Sequence, residues 1–365
     1  GLASLMIFFH HFILAFVPAL YYGTRVQSNL FEYESMLAES PFMFFVGGHF
    51  LVSLFLVLSG LVLSLQVYRT ETINNLLINV VKRYLRLALP VFIVSLIVYL
   101  LLKFGLFYNV YLSEITGSPW LHLYYKEPLG LKSVFETSFY TVWFIGNDAY
   151  STAFWMLTHL FYGSLLTYAS VFLVRKLAKN IQMVIILSII VLAILNDSYL
   201  INFGFGMLLA WMIIHIKLKN TKYLGIILLI ISMIFAGYPQ GVAPSNFYKT
   251  LFYFETYSIS TILIHSKGAL FLVSALLFLN SENSFLTSKG TQTLGKLSFS
   301  IYLLHIPILF SFSSILAITL DKIKIPFVYN MLINLILTLL LTLLTSMLFN
   351  NWVIQKLNCL IIQSL

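Results

Sequence analysis

Residues 46–64 read VGGHFLVSLFLVLSGLVLS, a run of nineteen residues that contains no Asp, Glu, Lys or Arg. A helix of about 20 apolar residues is long enough to cross the hydrocarbon core of a bilayer. The whole 365-residue chain has the same character, because 60% of its residues are hydrophobic and only 9% are charged. A soluble domain carries about 25% charged residues. The composition therefore excludes an ordinary soluble protein and predicts a membrane protein.

Ten apolar runs of suitable length predict an all-α, polytopic fold with about ten transmembrane helices. They lie near 2–20, 44–66, 87–105, 152–174, 181–195, 199–216, 222–237, 254–279, 296–317 and 327–349. A further stretch, 134–146, is too short to span and predicts an interfacial or re-entrant segment, with Trp143 and Phe144 at headgroup level. No soluble domain or Pro-, Gly- or Ser-rich linker interrupts the chain. We therefore expect residues 1–365 to form one membrane-embedded domain.

The basic residues predict the orientation of these spans. One set of alternate loops carries thirteen of the 21 Lys and Arg residues, whereas the other set carries seven, together with ten of the 12 acidic residues. Loops rich in Lys and Arg remain in the cytoplasm, so ten spans place both termini there and the longest external loop near 106–151. The expected location is the inner membrane of a bacterium. The net charge of +9 is then explained by topology, and no nucleic-acid partner is expected.

Two adjacent histidines interrupt the first apolar run. A charged group at the centre of a membrane helix costs about 2.5–3.5 kcal/mol, so ionisable residues there are candidates for function. On a helix, His11 shares its face with Ser4, Ala15 and Pro18, small residues that suit a helix interface. His10 points toward larger, more lipid-like neighbours. His11 is therefore the interior candidate, either as a functional residue or as a packing residue.

Other polar residues lie on single faces of the predicted helices. Each such arc is interpreted either as a hydrogen-bonded packing network or as part of a substrate site, and for Ser53 close helix packing beside Gly60 is favoured. The candidate substrate-binding residues are His49, Ser53, His265, Glu255, Tyr302 and His305. The single cysteine, Cys359, excludes an internal disulfide. No metal cofactor is expected.

A basic pair precedes the third predicted span. Arg83 and Arg86 lie three residues apart, on one helix face, in KRYLRLALP (82–90). They are interpreted either as anchors beside anionic lipid or as a clamp for phosphate groups, which the guanidinium fork binds well. The sequence of this segment alone leaves both interpretations open.

Four stretches carry a resemblance to the acyltransferase-3 family of integral membrane acyltransferases, and a fifth is similar to a further stretch of that family. GLASLMIFFHHF (1–12) is similar to its first helix, in which an arginine precedes Gly-x-Ala and a histidine follows after ten intervening residues. LFLVLSGLVLS (54–64) resembles FFVLSG, residues 82–90 resemble R-x-x-R-x-x-x-P, and LGKLSFSIYLLHIP (294–307) resembles SYSIYLLH. FWMLTHLFYGS (154–164) is similar to a family stretch that reads W-T-L before a glutamate. The resemblance covers essentially the whole chain.

Two departures accompany the resemblance. The family arginine would precede Gly1, so we expect that the N-terminus is truncated. The family glutamate aligns with Leu160, beside His159, and its role is therefore not carried over. The family histidine falls on His11, which the helix-face argument also favours.

The resemblance implies transfer of an acyl group, usually acetyl, from cytoplasmic acyl-CoA to a hydroxyl of an extracytoplasmic or lipid-linked glycan. Examples of such acceptors are O-antigen of lipopolysaccharide and exopolysaccharide. In this interpretation His11 is a general base or a transient acyl carrier, and Arg83 and Arg86 bind the phosphates of acetyl-CoA. Aromatic residues of the external loop, Trp120 and Tyr124 among them, stack on the sugar or form an interfacial belt. An esterase-like extracytoplasmic partner, if one is needed, is expected to be a separate protein.

Two alternatives to an acyltransferase remain open. A transporter or flippase for a glycan or lipid-linked substrate would also place polar arcs inside its spans. A scaffold whose histidines only pack is the third interpretation. The sequence does not predict an oligomeric state.

Overall fold

The computed structural model describes residues 1–70, 72–125, 129–216, 221–243, 246–251, 257–279 and 285–364. Within these ranges the structure is helical and has no strand, and ten helices of 15 residues or more coincide with the ten predicted spans. These helices, α1 to α10, are Leu2–Phe16, Gly48–Tyr68, Ile73–Lys103, Trp155–Val174, Lys179–Leu195, Leu200–His215, Lys222–Ala236, Tyr257–Leu279, Lys289–Ile308 and Phe327–Phe349. The predicted all-α polytopic fold is confirmed.

Shorter helical segments connect or extend these ten helices. Those on the N-terminal side of α4 are Ala19–Tyr22, Gly23–Arg25, Glu34–Leu37, Pro41–Phe45, Asn109–Thr116, Trp120–Leu123, Leu131–Glu136, Thr137–Thr141 and Val142–Phe144. Those that follow α7 are Asn246–Leu251, Phe285–Thr287, Leu309–Ser313, Ser314–Lys322, Asn350–Ile354 and Gln355–Ser364. Three of them, at 137–141, 309–313 and 350–354, are π-helical. Such π-helical turns occur often at functional sites.

Helix length separates the spans into two groups. Within the described residues, six helical segments are long and apolar enough to cross a bilayer, and a seventh results if α1 is joined to Ala19–Arg25 across a bend of 97°. Helices α5, α6 and α7 are apolar but shorter. The seven longer segments and these three shorter helices account for the ten predicted spans.

Helix α3 begins earlier than predicted. The apolar run starts at residue 87, whereas the helix starts at Ile73 and continues through Arg83, Arg86 and Pro90 to Lys103. At 1.5 Å per residue, its 31 residues extend about 46 Å, well beyond the ~30 Å hydrocarbon core. Hydropathy detects only the part of a helix that lipid covers. The N-terminal half of α3 is therefore absent from the prediction, although it is helical in the structure.

The described residues form two compact units. Unit 1 comprises residues 1–38, 82–158 and 289–365, and unit 2 comprises 39–81 and 159–288. In unit 1, α1 packs against α9, and α9 packs against α10. The first of these contacts is close, because a Cβ atom built on Gly1 would lie 2.6 Å from the backbone nitrogen of Gly295. Helices α1 and α9 therefore bring distant segments of the chain together in unit 1.

Side chains from two loops hold the C-terminal end of α1. Pro18 has no N–H group, so the Leu14 carbonyl lacks its usual helical donor. The Ser118 hydroxyl donates to that carbonyl at 2.6 Å. Asn29 Nδ2 donates to the Phe16 carbonyl at 2.9 Å and to the Thr116 carbonyl at 2.7 Å. These bonds satisfy the carbonyls that the bend after α1 exposes.

Unit 2 is built on close helix contacts at glycines. Helix α2 packs against α6 and α8, α7 packs against α8, and α5 packs against α6. A Cβ atom on Gly60 would lie 2.9 Å from Phe203 Cα, and one on Gly206 would lie 2.5 Å from the Val57 carbonyl oxygen. The predicted packing role of Gly60 is confirmed.

The segment predicted to be interfacial or re-entrant is helical from Leu131 to Phe144 and is not among the described helices that could span a bilayer. Trp143 packs inside the protein, because its side chain is 0% exposed and its indole nitrogen donates to the Ser138 carbonyl at 2.7 Å, and its depth at headgroup level stays a prediction. Phe144 is 45% exposed. The helical register therefore turns Trp143 into the protein and leaves its neighbour outside.

Candidate active site

Two histidines from different helices meet inside unit 1. The Nδ1 atom of His11, on α1, lies 3.1 Å from the Nε2 atom of His305, on α9. The centroids of the two rings are 5.0 Å apart. His305 is only 1% exposed, whereas His11 is half-buried. The sequence marks both residues as candidates but gives no signal that they touch. Their contact follows from the packing of α1 on α9.

Each histidine is also hydrogen-bonded to its own helix. His11 Nδ1 lies 3.1 Å from the Ile7 carbonyl oxygen, and His305 Nδ1 lies 2.9 Å from the Ile301 carbonyl oxygen. In both cases the carbonyl belongs to the residue four positions earlier. The two rings are therefore held by backbone acceptors as well as by each other.

An indole ring covers one face of His11. The Trp120 ring stacks on the imidazole with a centroid distance of 5.3 Å and an interplanar angle of 28°. Phe310, in a π-helical turn, supports Trp120 edge-on at 4.9 Å. Trp120 is 7% exposed. The sequence predicts Trp120 only as a sugar-stacking or belt residue, and its contact with His11 carries no short-range sequence signal.

His10 has contacts of its own. Its ring lies 4.9 Å from the His11 ring and 5.8 Å from the Tyr21 ring. Like His11, it is half-buried. The structure therefore gives His10 an aromatic neighbour from the segment that follows the bend, where the sequence predicts a more lipid-like face.

Tyr302 anchors a neighbouring segment to α9. Its hydroxyl donates to the Ala153 carbonyl, and the side chain is buried. Its ring lies 6.3 Å from that of His305. Ser298, four residues before Tyr302, donates to the Leu294 carbonyl within α9. These contacts show a structural hydrogen bond for Tyr302, and its predicted role in substrate binding stays a prediction.

The two predicted phosphate-binding arginines lie in the unit 1 part of α3. Arg86 is exposed and takes part in no ion pair within the described ranges, and Arg83 is half-buried. Between them, the Tyr84 hydroxyl donates to the Phe139 carbonyl at 2.7 Å. This bond fixes the basic part of α3 against the segment at 131–144, so the guanidinium groups extend from a supported helix.

Unit 2 contains a separate group of polar aromatic side chains. His49 Nδ1 is hydrogen-bonded to the Tyr199 hydroxyl, and the His49 and His265 rings lie 6.2 Å apart. His265 is buried and donates from Nε2 to the Tyr238 carbonyl at 3.0 Å. The His159 ring lies 5.0 Å from that of Tyr199. The structure thus brings together the side chains of two predicted residues, His49 and His265. The sequence does not predict the side chains of Tyr199 and His159 in this group.

The remaining predictions in this part of the chain have different outcomes. Ser53 is buried, and its hydroxyl has no hydrogen-bond partner among the described residues. Glu255 lies outside the described residues. In the described part of the chain, no group of three His, Cys, Asp or Glu side chains could hold a metal ion.

A half-buried carboxyl group, that of Asp148, lies in the segment between α3 and α4. Tyr124 donates to Asp148 Oδ2 at 3.0 Å, and Tyr125 donates to the Tyr150 carbonyl at 2.8 Å. Burial raises the pKa of Asp148 above its ordinary value, although the Tyr124 hydrogen bond lowers it in part. Burial also raises the pKa of Tyr124 to about 12. The tyrosine hydroxyls therefore remain protonated donors at neutral pH.

A sequence model of the acyltransferase-3 family, described as an acyltransferase domain, matches residues 1–351. The match includes His11, His305, Arg83 and Arg86. The chain therefore belongs to the acyltransferase-3 family, and it is a multi-pass membrane acyltransferase. No curated protein and no solved structure matches the chain. Membership of this family favours acyl transfer over the transporter and scaffold alternatives.

Proposed function

We propose that this acyltransferase moves an acyl group, acetyl in the simplest case, from acyl-CoA to a hydroxyl of an extracytoplasmic or lipid-linked glycan. The observation that carries the proposal is the half-buried His11 imidazole, held between His305 and Trp120 in a chain of this family. Imidazole takes up and releases protons near neutral pH, which suits both steps of an acyl transfer.

In the first route, His11 acts as a general base. Its unprotonated nitrogen removes the proton of the acceptor hydroxyl while the hydroxyl oxygen attacks the thioester carbonyl carbon. The carbon–sulfur bond then breaks, and the departing thiolate takes the proton from His11. The products are the acyl ester and free CoA thiol, and His11 returns to its starting state.

In the second route, His11 is a nucleophile. The imidazole nitrogen attacks the thioester carbonyl, CoA leaves as the thiolate, and an acyl-imidazole forms. The acceptor hydroxyl then attacks this acyl group, restores the imidazole and gives up its proton to the thiolate. Incubation of the enzyme with acyl-CoA in the absence of acceptor, followed by quenching and mass spectrometry of its peptides, separates the two routes. Only the second route adds the mass of an acyl group to the peptide that contains His11.

Arg83 and Arg86 are proposed to bind the phosphates of the donor. Arg86 is exposed on a helix that is anchored through Tyr84, and guanidinium groups form strong charge-assisted hydrogen bonds with phosphate. The basic half of α3 extends beyond the apolar run. It is therefore the part of unit 1 best suited to a charged donor in the aqueous phase.

The cellular setting is also part of the proposal. The distribution of Lys and Arg supports an inner-membrane protein of a bacterium with both termini in the cytoplasm. The donor would then enter from the cytoplasm, and a separate extracytoplasmic protein would take part if the glycan requires one. His49, Ser53, His265, Tyr302 and Glu255 remain candidate substrate-binding residues.

Radiolabelled acetyl-CoA tests the proposal in membranes that contain the protein and an isolated surface polysaccharide. We expect label in the polysaccharide with the wild-type protein and at least a 100-fold lower rate with His11→Ala, in line with the about 10²–10⁴ that a general base contributes. His215→Ala is the matched control, because His215 belongs to unit 2 and contacts Gln182 of the same unit. Equal rates for His11→Ala and the wild type would refute the assignment of His11.

A further inference from the structure

We propose that His305 is a positioning residue, which fixes the tautomer of His11 and leaves His11 Nε2 as the atom that reacts. This inference rests on the proposed function of His11 and makes it more specific. It assigns His305 a role different from the substrate contact suggested by the sequence. The observation that carries it is the hydrogen-bond chain from Ile301 through His305 to His11.

The chain of bonds starts at a carbonyl group, which can only accept. His305 Nδ1 lies 2.9 Å from the Ile301 carbonyl oxygen, so the proton of the neutral ring must lie on Nδ1. A neutral imidazole carries a single N–H proton. His305 Nε2 therefore has a lone pair and can only accept a hydrogen bond.

The same reasoning determines the state of His11. Its Nδ1 lies 3.1 Å from His305 Nε2 and 3.1 Å from the Ile7 carbonyl oxygen. Both neighbours are acceptors, so Nδ1 must carry the proton and share it between them. His11 Nε2 is then unprotonated, and no hydrogen bond to it occurs within the described ranges. The reactive lone pair is thus created by the partners of the opposite nitrogen.

Burial assigns different roles to the two rings. His305 is buried and uses both of its nitrogens in this chain, whereas half-buried His11 keeps access to its surroundings. The Ile7 carbonyl alone, at 3.1 Å, would favour the proton on Nδ1 only weakly and would leave the ring free to turn, so both tautomers would be populated. His305 on one edge and Trp120 on one face together restrain that rotation. When His11 takes up a proton, its Nδ1–H bond to neutral His305 becomes charge-assisted and stronger.

The tautomer is measured without reference to activity. In the full chain in lipid nanodiscs, ¹⁵N NMR of labelled histidine separates protonated from unprotonated ring nitrogens, and His11→Gln identifies the His11 signals. We expect an unprotonated Nε2 in the wild type, a mixture of tautomers in His305→Leu, and recovery in His305→Gln, whose side-chain oxygen can accept the Nδ1 proton. A protonated Nε2 in the wild type, or an unchanged tautomer in His305→Leu, would overturn the inference.

Turnover supplies the second readout. His305→Leu should lower kcat by roughly 10- to 100-fold, part of the about 10²–10⁴ that a general base contributes, with little change in the KM for acetyl-CoA. His305→Gln should restore most of the rate. Ser313→Ala is the control, because it removes a buried hydrogen bond to Asn334 in unit 1 without touching His11.

The two proposals fail in different ways. Wild-type turnover in His305→Leu, combined with loss of transfer in His11→Ala, would overturn the positioning role and leave the proposed function intact. The expected NMR result, combined with no acyl transfer by the wild type to any surface polysaccharide, would refute the proposed function and leave the tautomer assignment standing.

Discussion

The Ser118 hydroxyl donates to the Leu14 carbonyl at 2.6 Å and supplies the donor that Pro18 cannot provide. Leu14 lies three residues after His11, in the last turn of α1. The segment between α3 and α4, which contains Ser118, therefore completes the end of the helix that carries the proposed catalytic residue. This contact could not be read from the sequence, because Ser118 is 104 positions away from Leu14.

Replacement of this serine should weaken unit 1. Ser118→Ala leaves the buried end of α1 with an unpaired carbonyl, which costs about 1–3 kcal/mol. Thermal unfolding in nanodiscs measures the loss, and the rate of acyl transfer should fall with it because His11 is less well held. Ser113→Ala serves as the control, since the Ser113 hydroxyl bonds to the Val110 carbonyl of its own helix. Equal destabilisation by the two changes would contradict the proposed tether.

The arginine pair should affect the donor and leave the acceptor unaffected. Loss of charge-assisted hydrogen bonds in Arg83→Ala/Arg86→Ala, each worth about 1.5–3 kcal/mol, should raise the KM for acetyl-CoA tenfold or more. Acetyl-pantetheine, which lacks the phosphates, is the matched substrate and should show no difference between variant and wild type. An unchanged KM for acetyl-CoA would refute the phosphate clamp.

The half-buried Asp148 carboxyl group predicts a pH dependence of stability. Because burial raises the pKa of Asp148 above its ordinary value of 3.8, folding favours the protonated form. As the pH rises from 3.8 through the raised pKa, the folded state should lose stability relative to the unfolded chain, and the loss should level off above it. Asp148→Asn removes this loss, so the variant should gain in relative stability across that window. Parallel unfolding curves for the two proteins between acidic and neutral pH would argue against this assignment.

The glycine contact in unit 2 should not accept a side chain. Gly206→Ala places a Cβ atom 2.5 Å from backbone atoms of α2, and such overpacking costs about 1–3 kcal/mol. Gly290→Ala is the control, because a Cβ atom there meets nothing within 4 Å. Unfolding measurements should show a clear loss for the first variant and none for the second. A Gly206→Ala protein as stable as the wild type would contradict the close packing of α2 on α6.

The sequence predicts individual helices better than it predicts contacts between them. Lipid imposes a minimum length and an apolar composition on a spanning helix, so the ten helices follow from hydropathy. Hydropathy does not predict the start of α3, because its basic half lies outside the apolar run, and it does not predict the burial of Trp143, because aromatic residues occur both in interfacial belts and in cores. Helix-face arguments favoured His11, but only the packing of α1 on α9 brings it to His305.

The hydroxyl at position 118 has a consequence for protein engineering. A designer who replaces the segment between α3 and α4 with that of a relative also replaces the donor that closes the end of α1. Such chimaeras need a serine or threonine at position 118, and the amide of Asn29 must be kept as well. The substituted segment must therefore be chosen for its bond to α1 as well as for any new contact that it is meant to introduce.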